Sequence, residues 1–267
     1  MKPNRLLLKL RDAEKKNEKI FSAFLTLGYP NLKTTEKLLN AFERTGVDTI
    51  ELGFPFSDPL ADGPTIQFSS QKALDGGISL DKAFHLVRRL RQRGNQLPII
   101  FFTYFNPVLH YGIKRFIRSA KSSGYDGLLI PDLPPEEEKE LTRECHRQRF
   151  PQIYLIAPTT RKQRAVQIAR ASQGFIYYVS LRGVTGARRF LPSDLKRHLR
   201  ELKRVTSKPF LVGFGVSRPQ QAAEVAKMCQ GVIVGSAIID QIRKAKGKTA
   251  PVVRFVSQMV KAVKAGR

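Results

Sequence analysis

Eight short runs of apolar, strand-favouring residues recur from one end of the chain to the other, and no other feature restricts its fold so severely. They are FSAFLTLG (21–28), VDTIELG (47–53), PIIFFTYF (98–105), GLLIPD (127–132), IYLIAP (153–158), FIYYVS (175–180), PFLVGFG (209–215) and GVIVGS (231–236). Between them lie longer segments such as LKTTEKLLNAFERTG and SLDKAFHLVRRLRQRG, with apolar residues at three and four spacing and glycine or proline near their ends. Strands that are apolar on both faces and separated by helices imply a parallel sheet covered by helices. Eight repeats favour closure, and 267 residues is close to the usual length of a (β/α)₈ domain. The rival, an open doubly wound sheet of the Rossmann type, needs a glycine fingerprint after its first strand; LGYPNLKTT lacks it. The leading segment LLLKLRDAEKK reads as an extra helix capping the barrel bottom. With no linker or low-complexity boundary, the expectation is a single TIM-barrel domain over residues 1–267 with an extra N-terminal helix.

Composition narrows the function classes. A hydrophobic content of 42% supports a large core, yet no apolar run approaches the roughly 18 residues of a membrane span. The three consecutive leucines near the start are too few for a signal-peptide core, so the chain reads as cytoplasmic, without a membrane partner. Cys145 and Cys229 stand in helix-like contexts, against a disulfide framework or a cysteine metal site. The net charge of +25, from 47 Lys and Arg against 22 Asp and Glu, raises nucleic-acid binding. The bases are instead dispersed between apolar residues at helical spacing, as in DLKRHLRELKR, and no arginine- or glycine-rich tail occurs. That pattern reads as solvated outer helix faces, so nucleic acid is not the expected partner. An acidic partner protein, a polyanion or an unusual ionic environment stay open as reasons for the charge.

In such barrels the reactive groups lie at the carboxyl ends of the strands and in the loops that follow. No run contains Lys, His or Cys, which leaves no strand-borne Schiff-base lysine and weakens metal sites and nucleophile dyads. Two carboxylates end strands, Glu51 and Asp132, and Asp62 follows in the long loop after the second run. In VDTIELG, Ile50 and Leu52 share one face and Thr49 and Glu51 the other, so Glu51 points into the barrel if its neighbours face the helices. An unpaired carboxylate there has its proton affinity raised by desolvation towards a value suited to proton transfer. The competing reading is a structural glutamate neutralised by an arginine from a neighbouring strand, but no run contains arginine. Barrel phosphate sites use the loops after strands seven and eight and a helix amino terminus. GFGVS (213–217) and the Gly235–Ser236 helix start fit that role, and RGVTGARRF after run six adds a third glycine pair on the same rim.

These residues resemble a known family. From TLGYP through IELGFPFSDPLADGPTIQ, TYFNPV, YGIKRF, IPDLPPEE, GVTG and GFGVS to VGSA, the chain is similar nearly end to end to the alpha subunit of tryptophan synthase. The resemblance implies a (β/α)₈ barrel that cleaves indole-3-glycerol phosphate to indole and glyceraldehyde 3-phosphate, in the last step of tryptophan biosynthesis, with no metal or organic cofactor in this chain. By motif match Glu51 is the catalytic glutamate and Asp62 the catalytic aspartate. Tyr177 matches the active-site tyrosine, and Phe24, Phe102, Leu129, Thr185 and Phe214 line the substrate pocket. Gly186, Gly215, Gly235 and Ser236 match the phosphate-binding positions. The implied partner is a beta subunit carrying pyridoxal phosphate, in a heterotetramer of two alpha and two beta subunits, with indole passed through a tunnel. The loop 55–64, with Asp58 and Pro59, belongs to that interface. A variant reading keeps the barrel but makes it a low-activity allosteric partner of the beta subunit. The chain departs from the family pattern at Thr103, where methionine is expected, in the three arginines of LRGVTGARRFLP, and in its charge.

Overall fold

The structure is a computed structural model and describes residues 3–179, 195–213 and 215–266. Helix α1 (Arg5–Lys15) starts where the Asn4 side chain accepts the Leu7 N–H, an N-cap that satisfies one of the first-turn donors. There follow β1 (Ile20–Thr26), α2 (Leu32–Arg44), β2 (Thr49–Gly53), α3 (Pro64–Asp75), α4 (Leu80–Gln92), β3 (Ile99–Phe102), α5 (Phe105–Tyr111), α6 (Ile113–Ser123) and β4 (Gly127–Leu129). The second half holds α7 (Lys139–Gln148), β5 (Gln152–Ile153), β6 (Leu155–Ile156), α8 (Lys162–Ala171), β7 (Ile176–Val179), α9 (Leu195–Val205), β8 (Phe210–Gly213), α10 (Pro219–Ala226), β9 (Gly231–Val234), α11 (Ser236–Lys244) and α12 (Ala250–Ala265).

All strand pairs are parallel, in the spatial order β5-β4-β3-β2-β1-β9-β8-β7-β6. The two ends of that order, β5 and β6, are separated along the chain only by Tyr154, whose N–H turns aside to the Ser172 hydroxyl at 3.0 Å. They are two halves of one run, so the sheet returns on itself as a barrel. The eight sequence runs therefore correspond to eight barrel strands, the fifth interrupted once.

Two apolar clusters hold this arrangement. One lies between the strands and the helix ring, where the amphipathic helices press residues such as Leu38, Phe42, Val87 and Phe116 against the outer sheet face. The other fills the barrel interior with Ile20, Ile100, Leu129, Ile153, Phe175, Leu211 and Ile233, and Leu6, Leu10 and Ala13 of α1 close it from below. Leu6 is fully buried there, and burying such a side chain contributes about 1.5–3 kcal/mol. Charged groups pin the same end. Asp126 accepts the Ile99 N–H at 2.9 Å and pairs with Arg5 at 3.0 Å and Arg91 at 2.9 Å, while Asp48 accepts the Phe21 N–H at 2.8 Å and pairs with Lys264 at 2.7 Å. Both carboxylates stand at strand starts, so their work is structural and the chemistry is left to the opposite rim.

The basic runs are helix faces, as their spacing requires. On α9, Leu195, Leu199 and Leu202 are buried while Lys196, Arg197, Arg200, Lys203 and Arg204 are exposed. Cys145 and Cys229 are free and buried. Among the described residues no helix is long and apolar enough to cross a membrane.

Candidate active site

Strand register builds the site. Phe24 of β1 stands opposite Glu51 of β2, Glu51 opposite Ile100 of β3, and Gly53 opposite Phe102. With Ile50 and Leu52 packed in the outer cluster, Glu51 faces the interior and is fully buried. Its Oε1 accepts a hydrogen bond from the Ser22 hydroxyl at 3.0 Å, and its Oε2 has no hydrogen-bond partner among the described residues. Burial pushes the carboxyl up to about 8, with the Ser22 bond acting in the opposite sense.

The second acid hangs over this point from the loop after β2. Asp62 N–H donates to Pro59 O at 3.0 Å, and its carbonyl accepts the Gln67 side-chain amide at 2.9 Å, which fixes the loop to the start of α3. Tyr104, just past β3, holds the loop from inside: its hydroxyl accepts the Ala61 N–H at 2.9 Å and donates to the Asp62 carboxylate. Burial raises Asp62 to about 6, with the Tyr104 bond opposing. Tyr177 of β7 is held well above its ordinary value first by burial and then by the charges of Glu51 and Asp62, so all three groups share one space.

The walls are aromatic. Phe24 and Phe102 meet edge to face with ring centroids 5.5 Å apart, and Leu129 lies fully buried at the floor. Two glycines make room for them. A Cβ on Gly53 would come within 2.5 Å of the Phe24 ring, and one on Gly213 within 2.4 Å of the Tyr177 hydroxyl. On the rim, Gly215 has φ +42°, and Gly235 precedes Ser236, the first residue of α11, against the base of Phe24. Thr185, Gly186 and Phe214, and the arginine-bearing segment around the first two, lie outside the described residues.

Not every acid of the strand ends converges here. Asp132 accepts the Phe105 N–H through both oxygens, at 3.0 and 3.3 Å, and so caps α5. Asp58 is exposed and takes the Ser57 hydroxyl at 2.5 Å, in a loop whose tip carries Leu60 at 94% exposure. Thr103 is fully buried, its N–H donating to Leu129 O at 3.1 Å. Sequence reasoning passed over Ser22 and Tyr104. Ser22 was within reach, since it alternates with Phe24 on the inner face of FSAFLTLG. Tyr104 carried no such signal, because its partner is a loop 43 residues away.

Chemically, the two acids have been pushed apart in proton affinity. Between about pH 6 and 8 Glu51 retains its proton while Asp62 is ionised, giving a proton donor and a negative charge that both act on Tyr177.

The chain is similar to known proteins along nearly its whole length. A family model described as the tryptophan synthase alpha chain matches residues 10–266. The tryptophan synthase alpha chain of Geobacter sp. (strain M21) is 45% identical over 253 residues, covering 95% of this chain and 94% of the relative. That of Geobacillus kaustophilus (strain HTA426) is 48% identical over 228 residues, 85% of each. Among solved structures, tryptophan synthase subunit alpha from Legionella pneumophila str. Paris gives a TM-score of 0.91 at 34% identity, covering 99% of this chain and all of its own. A Mycobacterium tuberculosis tryptophan synthase chain gives 0.90 at 32% identity, over 98% and 99% of the two chains. With the fold, the acid pair and the rim glycines in place, the chain belongs to the tryptophan synthase alpha chain family.

Proposed function

We propose that this lyase cleaves indole-3-glycerol phosphate by proton transfer alone, with Glu51 as acid and then base and Asp62 as the fixed charge. Protonated Glu51 gives its proton to C3 of the indole ring, which becomes a cationic indolenine. Asp62 accepts the ring N–H and stabilises that positive charge. The Glu51 carboxylate then takes the proton from the glycerol hydroxyl next to the ring; the C–O bond becomes a carbonyl, the C–C bond breaks, and its electrons restore the aromatic ring. Indole and glyceraldehyde 3-phosphate leave, and Glu51 is reprotonated without net proton change. The observation that carries this reading is the fully buried, inward-facing Glu51, held by one oxygen with the other unpartnered among the described residues, with Tyr177 within electrostatic reach of both it and Asp62.

In this reading Phe24, Phe102, Leu129, Tyr177, Thr185 and Phe214 hold the indole, and Gly186, Gly215, Gly235 and Ser236 hold the phosphate. The bare N–H groups and positive end of a helix start suit an anion at Gly235 and Ser236. The partner is a tryptophan synthase beta subunit in a heterotetramer, with pyridoxal phosphate on the beta side and none needed here. The exposed tip of the 55–64 loop, with Asp58, Pro59 and the solvent-facing Leu60, supports that docking role. The whole chain acts as one barrel domain in the cytoplasm.

The test is a steady-state assay of indole release from indole-3-glycerol phosphate, by the protein alone and with a beta subunit added. Turnover that rises with the partner is expected. No indole in either arm would overturn the assignment, and a rate unaffected by the partner would overturn the partnership.

A further inference from the structure

The Glu51 carboxylate is not left to burial alone. Register places Ser22 opposite Thr49, one inward layer below the Phe24–Glu51 pair and therefore farther from the rim. From there its hydroxyl crosses to Oε1 of Glu51 at 3.0 Å, between two side chains that are both fully buried. Oε2 is left without a partner among the described residues. Among the described residues, the inner surroundings named by strand register offer no substitute. Phe24 of β1 and Ile100 and Phe102 of β3 carry no charge, and the titratable groups sharing the space are Tyr177 of β7 and Asp62 of the loop after β2.

We infer that Ser22 is a positioning residue for the proton-transfer step: it anchors Oε1, leaves Oε2 as the oxygen that gives and takes the proton, and favours the ionised carboxylate. This inference rests on Glu51 being the acid of the proposed reaction. A carboxyl held by one oxygen has its free oxygen confined to a single direction, which is what proton transfer to a ring carbon needs. A hydroxyl donated to a carboxylate stabilises the anion, so it counteracts desolvation and keeps the acid strong enough to protonate a weakly basic carbon near neutrality. Without it Glu51 would bind its proton more tightly and release it more slowly.

The experiment compares the wild type with Ser22→Ala and Ser22→Thr, each shown by thermal melting to be folded. In Ser22→Ala the alkaline limb of the kcat/KM profile should move up by about one pH unit, a tenfold rise in proton affinity. At pH 7.5 kcat should fall several-fold with KM nearly unchanged. Ser22→Thr, which keeps the hydroxyl on a strand-compatible side chain, should return the limb to its wild-type place. Carbon-13 carboxyl NMR titration of Glu51 in the same proteins reads the proton affinity without turnover, so a poorly active variant still reports. An alkaline limb and a carboxyl titration that do not move in folded Ser22→Ala overturn the inference, because a merely structural role would lower rates without shifting either. Wild-type indole release by Glu51→Gln would instead remove the catalytic reading of Glu51, while a shifted carboxyl titration would still establish the Ser22 bond.

Discussion

Tyr104 and Asp62 form one unit although they belong to different connections of the barrel: the Tyr104 hydroxyl accepts the Ala61 N–H at 2.9 Å and, keeping its own proton, acts as a hydrogen-bond donor toward the neighbouring Asp62 carboxylate. A loop whose tip is in solvent is thereby tied beside Asp62 to the end of β3. In Tyr104→Phe the aspartate loses a donor that favours its charged form, so its proton affinity rises further. The acid limb of the kcat/KM profile should move up from about 6, with losses near tenfold at pH 6 and much smaller ones at pH 8. A full pH profile of the variant checks this.

The wild-type profile itself should be a bell. In the proposed reaction activity requires Asp62 ionised and Glu51 protonated, so the acid limb reports Asp62 near 6 and the alkaline limb Glu51 near 8. Glu51→Gln should abolish the alkaline limb together with at least a hundredfold of the rate, and Asp62→Asn the acid limb with a comparable loss, on the usual scale of about 10²–10⁴ for such groups. Indole release measured across pH 5 to 9 decides both.

Burying Glu51 burdens the fold at high pH, and the sign can be stated. Its carboxyl ionises near 4.5 in an unfolded chain and near 8 in the folded one. Between those values the folded protein holds a proton that the unfolded chain has lost, so stability falls as pH rises through that window and is flat outside it. Glu51→Gln, which has no charge to bury, should therefore be more stable than wild type at pH 8, by an amount on the order of a few kcal/mol, and should lose most of that advantage by pH 5. Paired urea melts at the two pH values give the difference directly.

Gly213→Ala tests the space reserved for Tyr177. The added Cβ would lie 2.4 Å from the Tyr177 hydroxyl and 2.6 Å from its ring, so the tyrosine must leave its place. Overpacking of this kind costs about 1–3 kcal/mol, which should lower the melting temperature by several degrees. Substrate affinity should weaken with it, seen as a raised KM in the indole assay.

Excess positive charge should act on encounter more than on chemistry. A phosphorylated substrate approaching a chain of net charge +25 is drawn in at low ionic strength, and the attraction fades once the screening length drops to about 10 Å near 0.1 M salt. The expected outcome is a several-fold fall in kcat/KM between about 0.02 and 0.3 M salt with kcat nearly constant, measured under conditions where chemistry is not limiting.

Much of this molecule was legible before its coordinates. Eight apolar runs separated by amphipathic segments already require a covered parallel sheet, and the alternation in VDTIELG already turns Glu51 inward, because strand periodicity is a local property of the chain. LLLKLRDAEKK announced α1, and its Leu6 and Leu10 do close the barrel from below. Asp132 is the instructive contrast. It closes an apolar run in the sequence as Glu51 does, yet β4 stops at Leu129 and Asp132 lies in the turn beyond it, where it caps α5.

By itself, then, the chain's residue order determined the closed α/β architecture, the inward face of β2 and the motifs that carry the family resemblance, since each follows from spacing along one segment. Only the tertiary structure decided that Ser22 would hold one oxygen of Glu51, that Tyr104 would grip Asp62, and that Gly213 would make way for Tyr177. Those contacts depend on register between strands and on where a loop folds back. Both are settled by packing of the whole barrel, which no single stretch of sequence encodes.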